Sequence, residues 1–405
     1  MKRHIDYKNM VAALSKGIPV AVACLTMFSM AAAQSISEGV EVLPGTGSGN
    51  EVFITQETDP AIGPLNSALI EILGDDNVLG GWTALGQFSW AFDGGTELGQ
   101  TSGQFGSDNV FESIQTGSNN VIGFLQGVSA TEAGTFSLSI AEIGAYGLVS
   151  ENAYGDDVDH SALAVADDVG GRMNDWLIVG VPSDASTAAI MQTGNLNLVS
   201  ALQLGSGNTV DLMQSGNGNE LWATQCTDDS MVIIDQVNGD DNIAVVNQIG
   251  DGTGAAFIAD AAVFQDGSGN TSVITQAAAL GTISANAMIN QTGDFNTASI
   301  YQAGSSGSGD MMEIDQTGNS NTGMISVYGI SNDCEIVQMG DTIWANVDLG
   351  GDDNVATVDQ SDDGAYASVD LSGDSNSVKI KQQSNSTPIL LTLTGHNNKV
   401  KITQK

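Results

Sequence analysis

The stretch Asn332-Asp-Cys-Glu-Ile-Val-Gln338-Met-Gly340-Asp-Thr-Ile-Trp-Ala-Asn-Val-Asp-Leu349-Gly-Gly351-Asp-Asp-Asn354-Val-Ala-Thr-Val-Asp-Gln360 decides the fold. One slot recurs every eleven residues along the last ninety, at Gln316, Val327, Gln338, Leu349, Gln360, Leu371, Gln382, Leu393 and Gln404. Glutamine and an aliphatic residue alternate there, so the unit is 22 residues made of two unlike halves. Gly329, Gly351, Gly373 and Gly395 recur at 22, as do Asn332, Asn354, Asn376 and Asn398. A fixed period of this size marks a repeat architecture.

Between turns the residues alternate with period 2, the mark of a strand with one buried face. Counting from each Asn slot, positions +2 and +4 are Cys334/Ile336, Ala345/Val347, Ala356/Val358, Ala367/Val369, Val378/Ile380, Ile389/Leu391 and Val400/Ile402. None is polar, whereas the intervening positions carry many charges. A one-residue slip would turn every side chain to the wrong face, so the register is strongly specified.

Two short strands and two tight turns per unit make one flattened coil, whose edges only another coil can satisfy. The expected fold is therefore all-β, a β-solenoid of stacked two-strand 22-residue coils. The mature chain has room for roughly 14 to 17 of them, at about 4.8 Å each. Fixed Gln and Asn slots then lie above one another as side-chain amide ladders. The expected self-assembly ladder comprises Gln316, Gln338, Gln360, Gln382 and Gln404, with Asn332, Asn354, Asn376 and Asn398.

Gln-x-Gly-x-x-Asn occurs eight times, starting at Gln104, Gln115, Gln192, Gln203, Gln214, Gln265, Gln291 and Gln316. Four segments follow. Residues 1–33 read as a signal peptide, 34–127 as irregular N-terminal repeats, 128–190 as degenerate repeats with loops, and 191–405 as the regular solenoid with basic C-terminal coils. Ile72-Leu-Gly-Asp-Asp-Asn77 is a turn without its Gln. Degenerate coils are expected near Glu142-x-Gly144 and Asp168-x-Gly170, the alternative for 128–190 being a separate small insert.

The unit Gln-x-Gly-x-x-Asn-x-Ala-x-x-x-Gln resembles the curlin repeat. Asn296-Thr-Ala298-Ser-Ile300-Tyr-Gln302, Asn354-Val-Ala356-Thr-Val358-Asp-Gln360 and Asn242-Ile-Ala244-Val-Val-Asn-Gln248 carry the likeness. The resemblance implies a structural subunit of extracellular curli-like amyloid fibres of a Gram-negative bacterium, serving adhesion and biofilm matrix. It also implies self-association as partner, with other curlin subunits and the curli secretion machinery. A monomeric surface adhesin or ligand-binding module, or an accessory nucleator of another subunit, is the alternative reading. Relative to five-repeat curlins this chain is longer and far more acidic.

Ten Lys+Arg face 48 Asp+Glu, a formal net charge of −38. That excludes binding nucleic acid or anionic lipid through charge, because both need cations to neutralise phosphate. Lys2, Arg3, Lys8 and Lys16 precede the apolar run Ile18–Met30, and Ala31-Ala32-Ala33 offers a cleavage site, the pattern of an export signal. No later stretch is long and apolar enough for a membrane span, so a secreted protein without stable membrane insertion is expected. Between Gln34 and Val378 the only cation is Arg172, while Lys379, Lys381, Lys399, Lys401 and Lys405 crowd the end. Lys379, Lys399 and Lys401 are candidate subunit-end contacts. The competing reading is a cap, since edge lysines block strand pairing.

No enzyme is expected. The three histidines, His4, His160 and His396, lie in the signal or in turns, and no hydrolase or phosphate-loop motif occurs. No cofactor is expected. Asp pairs at 75–76, 228–229, 240–241, 352–353 and 362–363 read as solvated turn acids, with weak Ca²⁺ binding through oxygen as the alternative. Cys226 and Cys334 lie nearly five coils apart, too far for a disulfide, which needs Cα atoms within about 7 Å.

Overall fold

The computed structural model describes residues 39–43, 47–48, 50–57, 66–80, 102–127, 137–139, 149–151, 157–159, 177–179 and 183–405, the last span without 250–256, 279–282, 305–306 and 384–387. The signal segment 1–33, His160, Arg172 and the turns expected at Glu142 and Asp168 lie outside these residues. Val40–Lys405 forms one compact unit.

That unit is a β-solenoid. The described residues contain strands and turns but no helix. Alternate strands belong to two facing sheets, and every neighbouring pair within each sheet is parallel. The first sheet runs from Gly39–Leu43 to Lys399–Gln404 and has 13 strands. The second runs from Glu51–Glu57 to Ile389–Thr394. Register follows the 22-residue unit: Glu335, Thr357, Lys379 and Lys401 are successive Cα partners, as are Asp333, Val355, Ser377 and Lys399.

The inward +2 and +4 positions make the core. Cys334, Ile336, Ala356, Val358, Val378 and Ile380 of the first sheet are buried against Ala345, Val347, Ala367 and Val369 of the second. Small and branched residues alternate along these strands, which keeps the two sheets close. Burial of this apolar area, at roughly 25 cal/mol per Å², drives the coil to close. Phe111 and Phe124 are fully buried and stack with ring centroids 3.6 Å apart.

Most turns open with a glycine and pass through a left-handed residue. Gly318 has φ 118°, and a Cβ there would run into the carbonyl oxygen of Gly340 on the next coil. Only glycine satisfies both the dihedral and the approach. Two positions later Ser320, Thr342, Asp353 and Ser375 all hold φ between 56° and 59°.

At two places the pairing resumes at the lattice position where it broke off, across a long stretch of sequence. In the second sheet Phe53 pairs with Gly80, and the next residue, Ile54, pairs with Ser102. Residues 81–101 are thus spliced into the middle of one strand. Similarly, Gln104 pairs with Gln126 while Gly106 pairs with Ser183, so 128–182 are spliced into one turn. The coil of Val110–Thr116 and Val121–Gln126 pairs directly with that of Thr187–Thr193 and Leu198–Leu204. No degenerate coil lies between them. The described strands inside 128–182 are instead two antiparallel pairs, Ser137–Ser139 with Leu177–Val179 and Val149–Glu151 with Asp157–Asp159. These residues add no rung, and among the described residues the first sheet has 13 levels and the second 12, where interrupted strands share a level, against the 14 to 17 coils expected from length.

Candidate functional site

The Gln slots form two continuous buried ladders. In the first sheet, eleven glutamines run from Gln115 to Gln404, and each of the first ten donates an amide proton to the side-chain oxygen of the next, at 2.7–3.2 Å. Gln316, Gln338, Gln360, Gln382 and Gln404 are consecutive rungs, as their spacing requires. In the second sheet the ladder runs from Gln104 through Gln126, Gln203, Gln225, Gln248 and Gln276 to Gln302. There it stops, and Val327, Leu349, Leu371 and Leu393 continue the column. The two unlike halves read from the last ninety residues are therefore a C-terminal feature; in the middle of the stack both halves carry glutamine.

Each amide also uses its second proton. Gln338 donates to the carbonyl of Thr322 and Gln360 to that of Trp344, both on the opposite sheet. One side chain thus joins neighbouring coils and closes its own. A buried amide with all its bonds made stabilises; one left unmade costs about 1–3 kcal/mol.

The Asn slots form a parallel system. Asn332, Asn354 and Asn376 each accept, through Oδ1, the backbone N–H of the following Asn, ending at Asn398. Asn332 and Asn376 give an Nδ2 proton to Gly351 and Gly395 carbonyls one coil on. Asn398 turns back, its Nδ2 donating to Asn376 Oδ1.

A third column was not read from the sequence. A turn residue, in most coils the one directly after the turn glycine, accepts through its side chain a backbone N–H of the preceding coil. Asp341 Oδ1 accepts from Asn319, Asp363 from Asp341, Asp352 from Ile330, and Asp374 from Asp352. Asp75, Asp228 and Asp240 do the same for Ser48, Ser206 and Asn217. The Asp pairs taken as solvated acids thus include the turn's coil-to-coil bonds. The signal was available in the recurrence of Asp, Asn or Ser directly after the glycine. Among the described residues no group of three or more His, Cys, Asp or Glu is placed to hold a metal ion.

The outward acids crowd one another. Glu313 and Glu335 are Cα partners on adjacent coils, as are Asp348 and Asp370. Burial, and then the neighbouring acids, push Glu313 up, and the same causes bring Asp348 to about 6. Asp310 replaces Asn in its column and accepts the N–H of Asn332; burial still raises it to about 6. Asp235, wedged between Met213 and Phe264 in register, rises to about 7 through burial first and Asp211 and Asp266 second. Cys226 and Cys334 are free and buried.

Lys379, Lys399 and Lys401 stand exposed on the two outermost strands of the first sheet. Lys381 pairs with Asp359 at 3.0 Å. The last strands form an open edge: Leu391, Leu393, Val400 and Ile402 are only partly buried and Leu390 is 72% exposed.

With this geometry in place, residues 184–216 match the family model described as the curlin associated repeat. The match makes this stretch similar to the curlin associated repeat, and the repeat and the solenoid fold are compatible with a structural subunit. No curated protein matches the chain. No helix among the described residues is long and apolar enough to cross a membrane.

Proposed function

We propose that this protein is a structural subunit of extracellular curli-like fibres, built by its own self-assembly and serving adhesion and biofilm matrix. The observation that carries the reading is the open C-terminal edge: the first-sheet glutamine ladder and the Asn column end at Lys399–Gln404, on which no further strand lies among the described residues. An exposed edge of unpaired backbone and half-covered Leu, Val and Ile is a template for another strand. The partner is another copy, delivered unfolded by the curli secretion machinery. No cofactor is needed. With a net charge of −38, chains repel, so assembly requires salt or divalent cations to screen them.

Purified protein seeded at high salt should give thioflavin-positive fibres with a reflection at about 4.8 Å along the fibre axis. Protein that stays soluble for days under seeding overturns the reading. The terminal lysines favour a second one, a capped solenoid acting as a monomeric module. Under it, Lys399→Glu with Lys401→Glu would speed association rather than slow it.

A further inference from the structure

We infer that subunits join end to end with a half-coil offset, so that the first sheet of one subunit continues as the second sheet of the next. The inference rests on the self-assembly proposed above and adds the phase of the joint.

The first reason is parity. Among the described residues the stack runs from one first-sheet strand, Gly39–Leu43, to another, Lys399–Gln404. Thirteen levels in one sheet face twelve in the other, so the C-terminal end has its second-sheet strand, Ile389–Thr394, half a coil lower. The position the chain would fill next lies over that strand. If like sheet met like sheet, this position would stay empty and leave a strand-wide gap of about 4.8 Å over a half-covered apolar edge. A half-turn about the stack axis places the next subunit's Gly39–Leu43 there. It also places Glu51–Glu57 over Lys399–Gln404, with strand directions preserved.

The second reason is the chemistry of the columns. At the C-terminal end the first-sheet column finishes on Gln404 and the second-sheet column on Leu393. At the N-terminal end these characters are exchanged. Gln56, the register partner of Gln104, occupies the second-sheet column, while the first-sheet column has Ile72 opposite Gln115. No Gln or Asn occurs between Ser35 and Gly49. Like-on-like stacking would set the Gln404 amide against a column with no amide. The half-coil offset sets Gln404 under Gln56, Asn398 under Asn50, and Leu393 under the strand lacking glutamine. It also sets Lys399, the residue after Asn398, in register with Glu51, the residue after Asn50. Charge and amide columns therefore agree on one phase.

The test is a swap within one column. Gln404→Leu and Gln56→Leu should each slow seeded elongation about tenfold, because each buries an amide against methyl groups. The double variant, with leucine on leucine, should regain most of the wild-type rate. Double-variant elongation that is slower than either single overturns the offset. A second measurement locates the joint. Fibres of a Thr55→Cys, Thr403→Cys double variant should form intermolecular disulfides on oxidation, since both residues lie five positions after their Asn. Fibres that form without that crosslink overturn the offset and leave the fibre reading standing. Wild-type protein that forms no fibre overturns the fibre reading and the joint with it.

Discussion

Gln382 donates its Nε2 proton to Gln404 Oε1 at 3.0 Å, across 22 residues of sequence, and closes a ladder that began at Gln115. Every interior rung both gives and receives such a bond. Removing one therefore strands two side chains and one opposite-sheet carbonyl.

Gln360→Leu should accordingly destabilise the solenoid by about 3 kcal/mol, through Gln338, Gln382 and the Trp344 carbonyl left unsatisfied. Leu349→Gln, in the aliphatic column of the other sheet, should cost a similar amount because its amide finds apolar neighbours above and below. Urea denaturation of both variants checks the pair. Equal stability of either to wild type would mean that the columns carry no energetic preference.

Gly318→Ala tests the turn. Its φ of 118° and the Gly340 carbonyl in the Cβ position predict a loss of about 2–4 kcal/mol, read as a lowered denaturation midpoint. Leu196→Asn should act in the opposite direction. Leu196 is 65% exposed at φ 60°, where asparagine is favoured, so about 0.5–1 kcal/mol of stability should be gained.

Acid should stabilise this fold. Asp235 is raised to about 7, and Asp310 and Asp348 to about 6, whereas in the unfolded chain they titrate near about 3.9. Between those values the folded state holds more protons than the unfolded one, so stability falls as pH rises. The contribution is fully present below about pH 4 and lost as pH climbs through 6 to 7. Thermal midpoints should drop over that interval, and Asp235→Asn should flatten the upper part of the curve. A midpoint that rises from pH 4 to 7 would reverse the assignment.

Cys226, pushed up to about 12 by burial, and Cys334, raised well above its usual value by burial and the acids Asp333 and Glu335, should resist alkylation in the folded protein. Iodoacetamide labelling followed by mass spectrometry should detect both only after unfolding. Rapid native labelling of Cys334 would contradict its place in the core.

The fold was legible because three independent periods coincide in the last ninety residues: alternation within strands, glycine at turns, and glutamine or leucine at the slot after each strand. The C-terminal ladder residues follow from that spacing alone. What was not legible has physical causes. The glutamine of the Asn77 strand is Gln104, which pairs with Gln126 in register, but 81–101 intervene, and a fixed period cannot see through a splice. The second role of the turn acids was hidden because charge suggests only solvent, while a carboxylate oxygen is also a good acceptor for the backbone N–H one coil below. The switch from glutamine to aliphatic after Gln302 shows only once the two sheets are separated.

The splices at Gly80/Ser102 and Gly127/Ser183 show how little the lattice depends on what leaves it. In each case the chain resumes at the coordinate it vacated, and the coils above and below pair as though nothing had been added. For protein engineering, the stack is thus a pegboard with two ports already in use. Foreign sequence grafted between those residues would be displayed at a fixed height on the scaffold, independent of its length.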